Sequence, residues 1–217
     1  EHVRQSYVEA GYPKEKIKVI PSILDKKFLT EHKSNFEETF QLLFVGYLKE
    51  HKGADLLIPI MQELDRKTEK EFKLTIVGDG PLRETVEEQV EESIIADKIE
   101  LRGLVPNEEL PEVYASHDLL VNPVKWEEPW GRVFLESLSA GTPILANEVE
   151  NAKALKGVET SSLDIPKFAE KLDSLFDKSE LEKLSGEGKE QILEYRPENT
   201  VERLNKSVKE MVEQGEN

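Results

Sequence analysis

The segment from Glu128 to Glu136 holds the residue types whose spacing has the clearest chemical meaning. Glu128 lies in a Pro-Trp-Gly loop, and Gly131 and Arg132 follow it where a helical pattern begins. The unpaired N–H groups and the dipole at a helix N-terminus attract anions, so this point of the chain suits a diphosphate. Glu136 lies one turn further on, where a carboxylate can bind the vicinal hydroxyls of a ribose, and a sugar beyond the phosphates would reach Glu128.

The two carboxylates by themselves say little about function. Asp and Glu account for 45 of the 217 residues, so roughly nine acidic pairs with this spacing arise by chance. A solvated loop followed by an amphipathic helix is the alternative interpretation. The Pro-Trp-Gly-Arg context around the pair therefore carries the prediction of an anion site.

Two other loops contain glycines directly after apolar runs. Gly46 leaves room for a phosphate, and Lys52 adds positive charge beside the next helix, although the spacing is not that of a Walker loop. His51 either contacts the same phosphate or is a solvated loop residue. The loop 78–81 lacks the Gly-x-Gly-x-x-Gly spacing of nicotinamide and flavin sites, and a tight turn explains it equally well. His117 is expected to pack or to cap a helix rather than act as a base.

Alternating strand and helix patterns position these loops. A continuous apolar run, typical of a strand buried on both faces of a sheet, covers residues 42–46. Further strand patterns cover residues 72–77, 99–102, 119–123 and 143–146, after an alternating strand pattern at 17–20. Helical patterns cover residues 1–10, 54–67, 82–94, 108–115, 132–140, 166–177, 180–194 and 198–213. The alternation predicts an α/β fold, a Rossmann-like doubly wound parallel sheet with C-terminal helices. Ligands bind beyond the carboxyl ends of the strands in such a sheet, where all three loops fall.

Composition argues against several classes of function. The formal charge is -16, from 45 acidic and 29 basic residues, and this negative field argues against nucleic acid as a partner. The absence of cysteine excludes disulfides and thiolate metal sites, and it fits a reducing cytoplasm. No apolar run approaches the roughly 20 residues that span a bilayer. We therefore expect a cytoplasmic protein without a metal site, and the absence of an initiating Met suggests a piece of a longer chain.

The stretch EPWGRVFLESLSAGTPILA, residues 128–146, resembles the signature of family 4 retaining glycosyltransferases with the GT-B fold, the group 1 glycosyl transferases. Those proteins carry Glu-Pro-Phe-Gly-x-x-x-x-Glu-Ala followed by Gly-x-Pro-Val. Other segments similar to the family's motifs occur upstream in the family's order, at residues 18–21, 44–46, 52–53, 76–82, 101–114 and 118–123. The resemblance is close over residues 17–146 and loose in the C-terminal part.

The resemblance implies two Rossmann-like domains with the active site between them, of which this chain is the donor-binding one. We expect residues 1–40 to be the end of the N-terminal domain with the linker, 41–194 the nucleotide-sugar-binding domain, and 195–217 a C-terminal helix. The implied partners are a UDP-, GDP- or ADP-sugar and the missing N-terminal domain, through which alone any peripheral membrane association is expected. No cofactor or metal is implied beside the donor substrate.

The resemblance also implies roles for individual residues. Lys52 and Arg132 would stabilise the charge on the departing nucleoside diphosphate and Glu128 would hold the transferred sugar, which makes these three the expected catalytic set. Glu136 would hold the ribose, and the base would lie near residues 104–105. The whole donor-binding set consists of Gly46, Tyr47, Lys52, Gly78, Leu104, Val105, Glu128, Trp130, Gly131, Arg132, Val133 and Glu136.

Two positions depart from the family's pattern and keep other functions open. Tyr47 stands where the family usually has arginine, and the segment 147–151 lacks the glycines that usually help to hold the sugar. The first hypothesis is a hexosyltransferase-like enzyme that retains the anomeric configuration, with this fragment alone expected to be inactive. The alternatives are an isolated nucleotide-sugar-binding module and a Rossmann-like regulatory domain that has lost catalysis.

Overall fold

One parallel sheet of six strands organises the chain. The computed structural model describes residues 2–20, 22–31, 38–126 and 131–215. The strands are β1 (Thr39–Val45), β2 (Glu71–Val77), β3 (Ile99–Gly103), β4 (Leu119–Asn122), β5 (Ile144–Asn147) and β6 (Val158–Ser161). They pair in parallel in the order β3-β2-β1-β4-β5-β6. The order reverses between β1 and β4, so a crevice for ligands is expected at the carboxyl ends of these two strands.

Helices connect the strands and cover both faces of the sheet. They are α1 (His2–Glu9), α2 (Leu57–Lys67), α3 (Arg83–Glu91), α4 (Leu110–Ala115), α5 (Arg132–Ala140), α6 (Glu150–Lys153), α7 (Ile165–Ser174), α8 (Lys178–Ile192) and α9 (Pro197–Gly215). The predicted α/β fold with a doubly wound parallel sheet is therefore confirmed. Among the described residues, no helix combines the length and the apolar character needed to cross a membrane.

Alternate side chains of the central strand enter two separate hydrophobic cores. Leu42 and Phe44 of β1 pack on one face of the sheet with residues of α2, whereas Leu43 and Val45 pack on the other face with residues of α5. All four side chains are buried, and burial of a side chain of this size stabilises the fold by about 1.5–3 kcal/mol. Burial on both faces explains why the strand reads as a continuous apolar run.

Two strand predictions need correction. The strand predicted over residues 17–20 is wrong, because these residues pair with no strand of the described sheet and Val19 is 46% exposed. An alternating apolar pattern forms a strand only where a neighbouring strand accepts its backbone hydrogen bonds. Conversely, the sequence does not predict β6. Its Val-Glu-Thr-Ser sequence is mostly polar because it forms an edge of the sheet, where burial is incomplete.

The segment 22–31 packs against the sheet and its helices. Phe28 is buried with its ring centroid 6.0 Å from that of Tyr114. The backbone N–H of Leu24 donates to the carbonyl oxygen of Tyr195 over 3.2 Å. These contacts place the segment beside α4 and the turn that follows α8, and residues 26–28 also lie against α5. The domain boundaries expected after residues 40 and 194 stay predictions.

Glycines allow neighbouring loops to touch at the carboxyl edge of the sheet. A β-carbon on residue 78 would lie 1.9 Å from the carbonyl oxygen of Gly46, and one on residue 53 would lie 2.0 Å from that of Pro123. Gly53 and Gly78 also have φ angles of 75° and 139°, which residues with a β-carbon rarely adopt. The geometry therefore supports the tight-turn interpretation of the loop 78–81.

We expect Gly78→Ala to lower the free energy of unfolding by about 2–4 kcal/mol, because the added methyl group meets a backbone carbonyl at a positive φ. Gly186→Ala in α8 is the matched control, since nothing lies within 4 Å of its added β-carbon. That control should stabilise the helix by up to about 1 kcal/mol. Urea denaturation of both variants measures the difference, and equal stabilities would contradict the proposed backbone contact.

Candidate functional site

The loops that follow the first four strands leave the same edge of the sheet and are joined by backbone hydrogen bonds. The bonds run from Gly46 N to Val77 O (3.0 Å), Leu48 N to Asp79 O (2.9 Å), Gly78 N to Gly103 O (2.8 Å) and Lys125 N to His51 O (2.9 Å). The loop 46–53 thus contacts the loops on either side of it. Gly46 and Gly78 contribute to this edge through their backbones, and their predicted role in donor binding stays a prediction.

The loop after β1 carries two of the predicted site residues, Tyr47 and Lys52. Tyr47 is 53% exposed, and the ammonium group of Lys49 lies 5.7 Å from the centroid of its ring. A cation therefore accompanies the tyrosine that replaces the expected arginine. Lys52 ends a single 3-10 turn and is half-buried. Burial lowers the pKa of the Lys52 ammonium group, because the charged form is less solvated there.

An open cleft of about 540 Å³ lies beside this loop and contains residues that the sequence did not single out. It is lined by Lys49, Glu50, His51, Pro81, Leu82, Lys125 and Trp126. The rings of His51 and Trp126 meet edge to face at 5.1 Å. The ammonium group of Lys125 lies 2.7 Å from a carboxylate oxygen of Asp55. Only the proximity of Lys125 and Trp126 to the Glu-Pro-Trp-Gly motif could have drawn attention to them.

Helix α5 begins where the sequence predicts the anion site. Gly131 is the residue before its first turn and has no side chain that could cap the first N–H groups of the helix. Arg132 is the first helical residue, with 70% of its side chain exposed, and Val133 is partly buried against the core. Glu128 and Trp130 lie outside the described residues, so their predicted roles stay predictions.

Glu136 is a buried carboxylate one turn into α5. It is 9% exposed, and its Oε2 accepts a hydrogen bond of 3.1 Å from the hydroxyl of Tyr114. Arg132 Nη2 lies 3.4 Å from the other oxygen, Oε1. Burial raises the pKa of the Glu136 carboxyl group, although the Tyr114 hydrogen bond and Arg132 act in the opposite direction.

The loop after β3 carries the residues predicted to lie near a base. Leu104 is 76% exposed, so its side chain is accessible to a ligand. Val105 is partly buried and packs against the core shared by α4 and α5. By contrast, His117 lies away from these loops, with its Nδ1 2.6 Å from the carbonyl oxygen of Val113. This contact with α4 supports its interpretation as a capping residue.

These features define a Rossmann-like α/β protein whose loops converge at one edge of the sheet. A family model described as glycosyl transferases group 1 matches residues 25–191. The match covers more than half of the chain, so the chain belongs to the group 1 glycosyl transferases. The uncharacterized glycosyltransferase MJ1607 of Methanocaldococcus jannaschii is 32% identical over 149 residues, which are 63% of this chain and 37% of that protein.

Solved structures of glycosyltransferases share the fold. A variant of S. aureus TarM, solved in complex with UDP among other ligands, has a TM-score of 0.81 and 17% identity over 95% of this chain. The pneumococcal O-GlcNAc transferase GtfA, solved with UDP and GlcNAc, has a TM-score of 0.78 and 22% identity over 97% of this chain. The similar region is 42% of the TarM chain and 44% of the GtfA chain. This chain thus spans less than half the length of each of these three relatives.

Glu136→Gln is expected to raise the melting temperature at neutral pH. Burial raises the pKa of Glu136 in the folded protein above its value in the unfolded chain. The wild-type protein therefore loses stability as the pH rises from the unfolded-state pKa through the folded-state pKa. Glutamine carries no charge, so the gain should be present at about pH 7 and absent at about pH 4, where the glutamate is protonated. Thermal unfolding across this range measures the gain.

The matched control for this experiment is Glu202→Gln, at an exposed position of α9. Its melting temperature should follow that of the wild-type protein at every pH. A gain for Glu136→Gln that is equal at both ends of the pH range would show that burial of the charge is not its cause.

Proposed function

We propose that this chain is the donor-binding half of a glycosyltransferase that moves a sugar from a nucleotide-sugar donor to an acceptor with retention of the anomeric configuration. The observation that carries the proposal is the juxtaposition, on α5, of Arg132 at the helix N-terminus and the buried Glu136 one turn further. The first suits a diphosphate and the second suits the hydroxyls of a ribose. Membership of the group 1 glycosyl transferases supports this interpretation.

The chemistry expected at this site is the departure of a nucleoside diphosphate. Negative charge grows on the phosphate oxygens as the bond to the sugar breaks, and positive charge grows on the sugar. The N-terminus of α5, Arg132 and Lys52 would stabilise the phosphate charge without reorganising, which is often the largest contribution to catalysis. Glu128 would position the sugar rather than attack it. No cofactor is needed for these steps.

UDP is the nucleotide with which the donor should be tested first. The TarM variant and GtfA were both solved with UDP. In the present chain, the exposed Leu104 would offer an apolar contact to a base, and such a contact does not by itself select uracil. We propose the missing N-terminal domain as the partner that supplies most of the acceptor site, in a cytoplasmic protein.

A binding module without turnover is the second candidate, and the segment after β5 favours it. The side chain of Asn147 donates to the carbonyl oxygen of Val124 over 2.9 Å, and Val149 is buried. This segment is therefore held by the protein where the family usually has glycines near the sugar. Sugar transfer by this chain alone would contradict the binding-module hypothesis, and transfer by a longer protein containing it would contradict the regulatory-domain hypothesis.

Lys52→Ala and Glu136→Ala should each weaken the binding of UDP by about tenfold or more, because each removes a charged group expected to contact the nucleotide. Isothermal titration calorimetry with UDP, GDP and ADP measures the affinities and identifies the base. Lys209→Ala and Glu202→Ala, at exposed positions of α9, are the charge-matched controls and should bind as the wild-type protein does. Unchanged affinity in both site variants would overturn the proposed function.

A further inference from the structure

Tyr114 and Glu136 form a polar contact within a largely hydrophobic core. The side chain of Tyr114 is fully buried, in a cluster built from α4, α5 and the segment 22–31. A buried hydroxyl requires a hydrogen-bond partner. Here its partner is Oε2 of Glu136, 3.1 Å away, so the tyrosine reaches directly into the proposed ribose site.

The position of the Tyr114 hydroxyl is fixed by contacts on the rest of the residue. Its ring lies edge to face with that of Phe28, at a centroid distance of 6.0 Å and an angle of 65°. Its backbone carbonyl oxygen accepts a hydrogen bond of 2.6 Å from the hydroxyl of Thr142. Because both the ring and the backbone of Tyr114 are held by contacts, its hydroxyl has one position.

The two oxygens of the Glu136 carboxylate have different surroundings. Oε2 is engaged by the buried tyrosine, whereas Oε1 faces Arg132 at 3.4 Å, a long contact from a side chain that is 70% exposed. An exposed arginine at that distance is easily displaced by a ligand. Within the part of the chain that the structure describes, the charged groups that face Glu136 are Arg132 on its own helix and Asp25 and Lys27 on the segment 22–31.

We propose that Tyr114 is a positioning residue for the donor ribose: its hydroxyl holds Oε2 of Glu136 so that Oε1 points to the vicinal hydroxyls. This inference rests on the proposed function, in which Glu136 binds the ribose. The hydrogen bond also favours the ionised carboxylate, which accepts from both hydroxyls, over the protonated form, which does not. Removing the hydroxyl should therefore weaken recognition of the ribose while leaving the phosphate contacts in place.

The experiment compares UDP with its 2′,3′-dideoxy analogue, which keeps the base and the diphosphate and lacks both ribose hydroxyls. The ratio of their dissociation constants is measured by calorimetry for the wild-type protein, Tyr114→Phe and Glu136→Gln. We expect a ratio of about ten or more in the wild-type protein, since the hydrogen bonds from both hydroxyls to a charged group are lost. Tyr114→Phe should reduce that ratio several-fold. As the pH is lowered, this variant should also begin to lose affinity for UDP at a higher pH than the wild-type protein does.

The three proteins separate the two proposals. If Glu136→Gln has the same ratio of dissociation constants as the wild-type protein, the ribose role of Glu136 is overturned, and the proposed function with it. A ratio that falls in Glu136→Gln but not in Tyr114→Phe overturns the positioning role alone. Failure of Tyr114→Phe to fold would likewise overturn it, because the tyrosine would then serve stability.

Phe168→Leu is the control that separates a general loss of core packing from loss of the hydrogen bond. Phe168 is fully buried in the core on the other face of the sheet, whereas Tyr114 belongs to the core that contains α5. The melting temperature of this variant should fall while its ratio stays that of the wild-type protein. A ratio reduced as much as in Tyr114→Phe would assign the effect to lost stability and overturn the positioning role.

Discussion

The carbonyl oxygen of Gly46 occupies the space beside residue 78 so closely that a β-carbon there would lie 1.9 Å from it. The same backbones are joined by hydrogen bonds from Gly46 to Val77 and from Gly78 to Gly103. The ends of β1, β2 and β3 are therefore fixed to one another by backbone alone. The loop that carries Lys52 starts from this fixed edge, and a ligand that binds a preorganised edge loses little free energy to ordering it.

Glu136 is a carboxylate whose burial disfavours its charged form. Burial raises the pKa of its carboxyl group, and the tyrosine hydroxyl and Arg132 offset this only in part. Such a residue is typical of sites where stability is exchanged for binding. The segment 22–31 contributes to that burial through Phe28, which contacts Tyr114. The surroundings of the carboxylate are thus built from parts of the chain far apart in sequence.

The sequence predicts the elements better than the contacts between them. All five strands predicted after residue 40 form, and α5 spans residues 132–140 as predicted. β1, β2, β4 and β5 are largely buried, whereas β3 is an edge strand that alternates half-buried and exposed residues. The edge strand β6 could not be predicted, since half-exposed polar residues leave no apolar run. The partnership of Tyr114 with Glu136 could not be predicted either, because it depends on how α4 packs against α5. The sequence leaves Gly78 to either ligand approach or a tight turn, and it does not reveal that the carbonyl oxygen of Gly46 fills the space beside this residue.

The alternation of β1 between two cores also limits how this protein can change in evolution. Leu42 and Phe44 belong to one core and Leu43 and Val45 to the other. Loss or gain of a single residue within the strand would exchange every side chain between them, into cores of different shape. Length variation among descendants should therefore be confined to the loops. One edge of the sheet can acquire new specificities while the strands beneath it keep the same residue count.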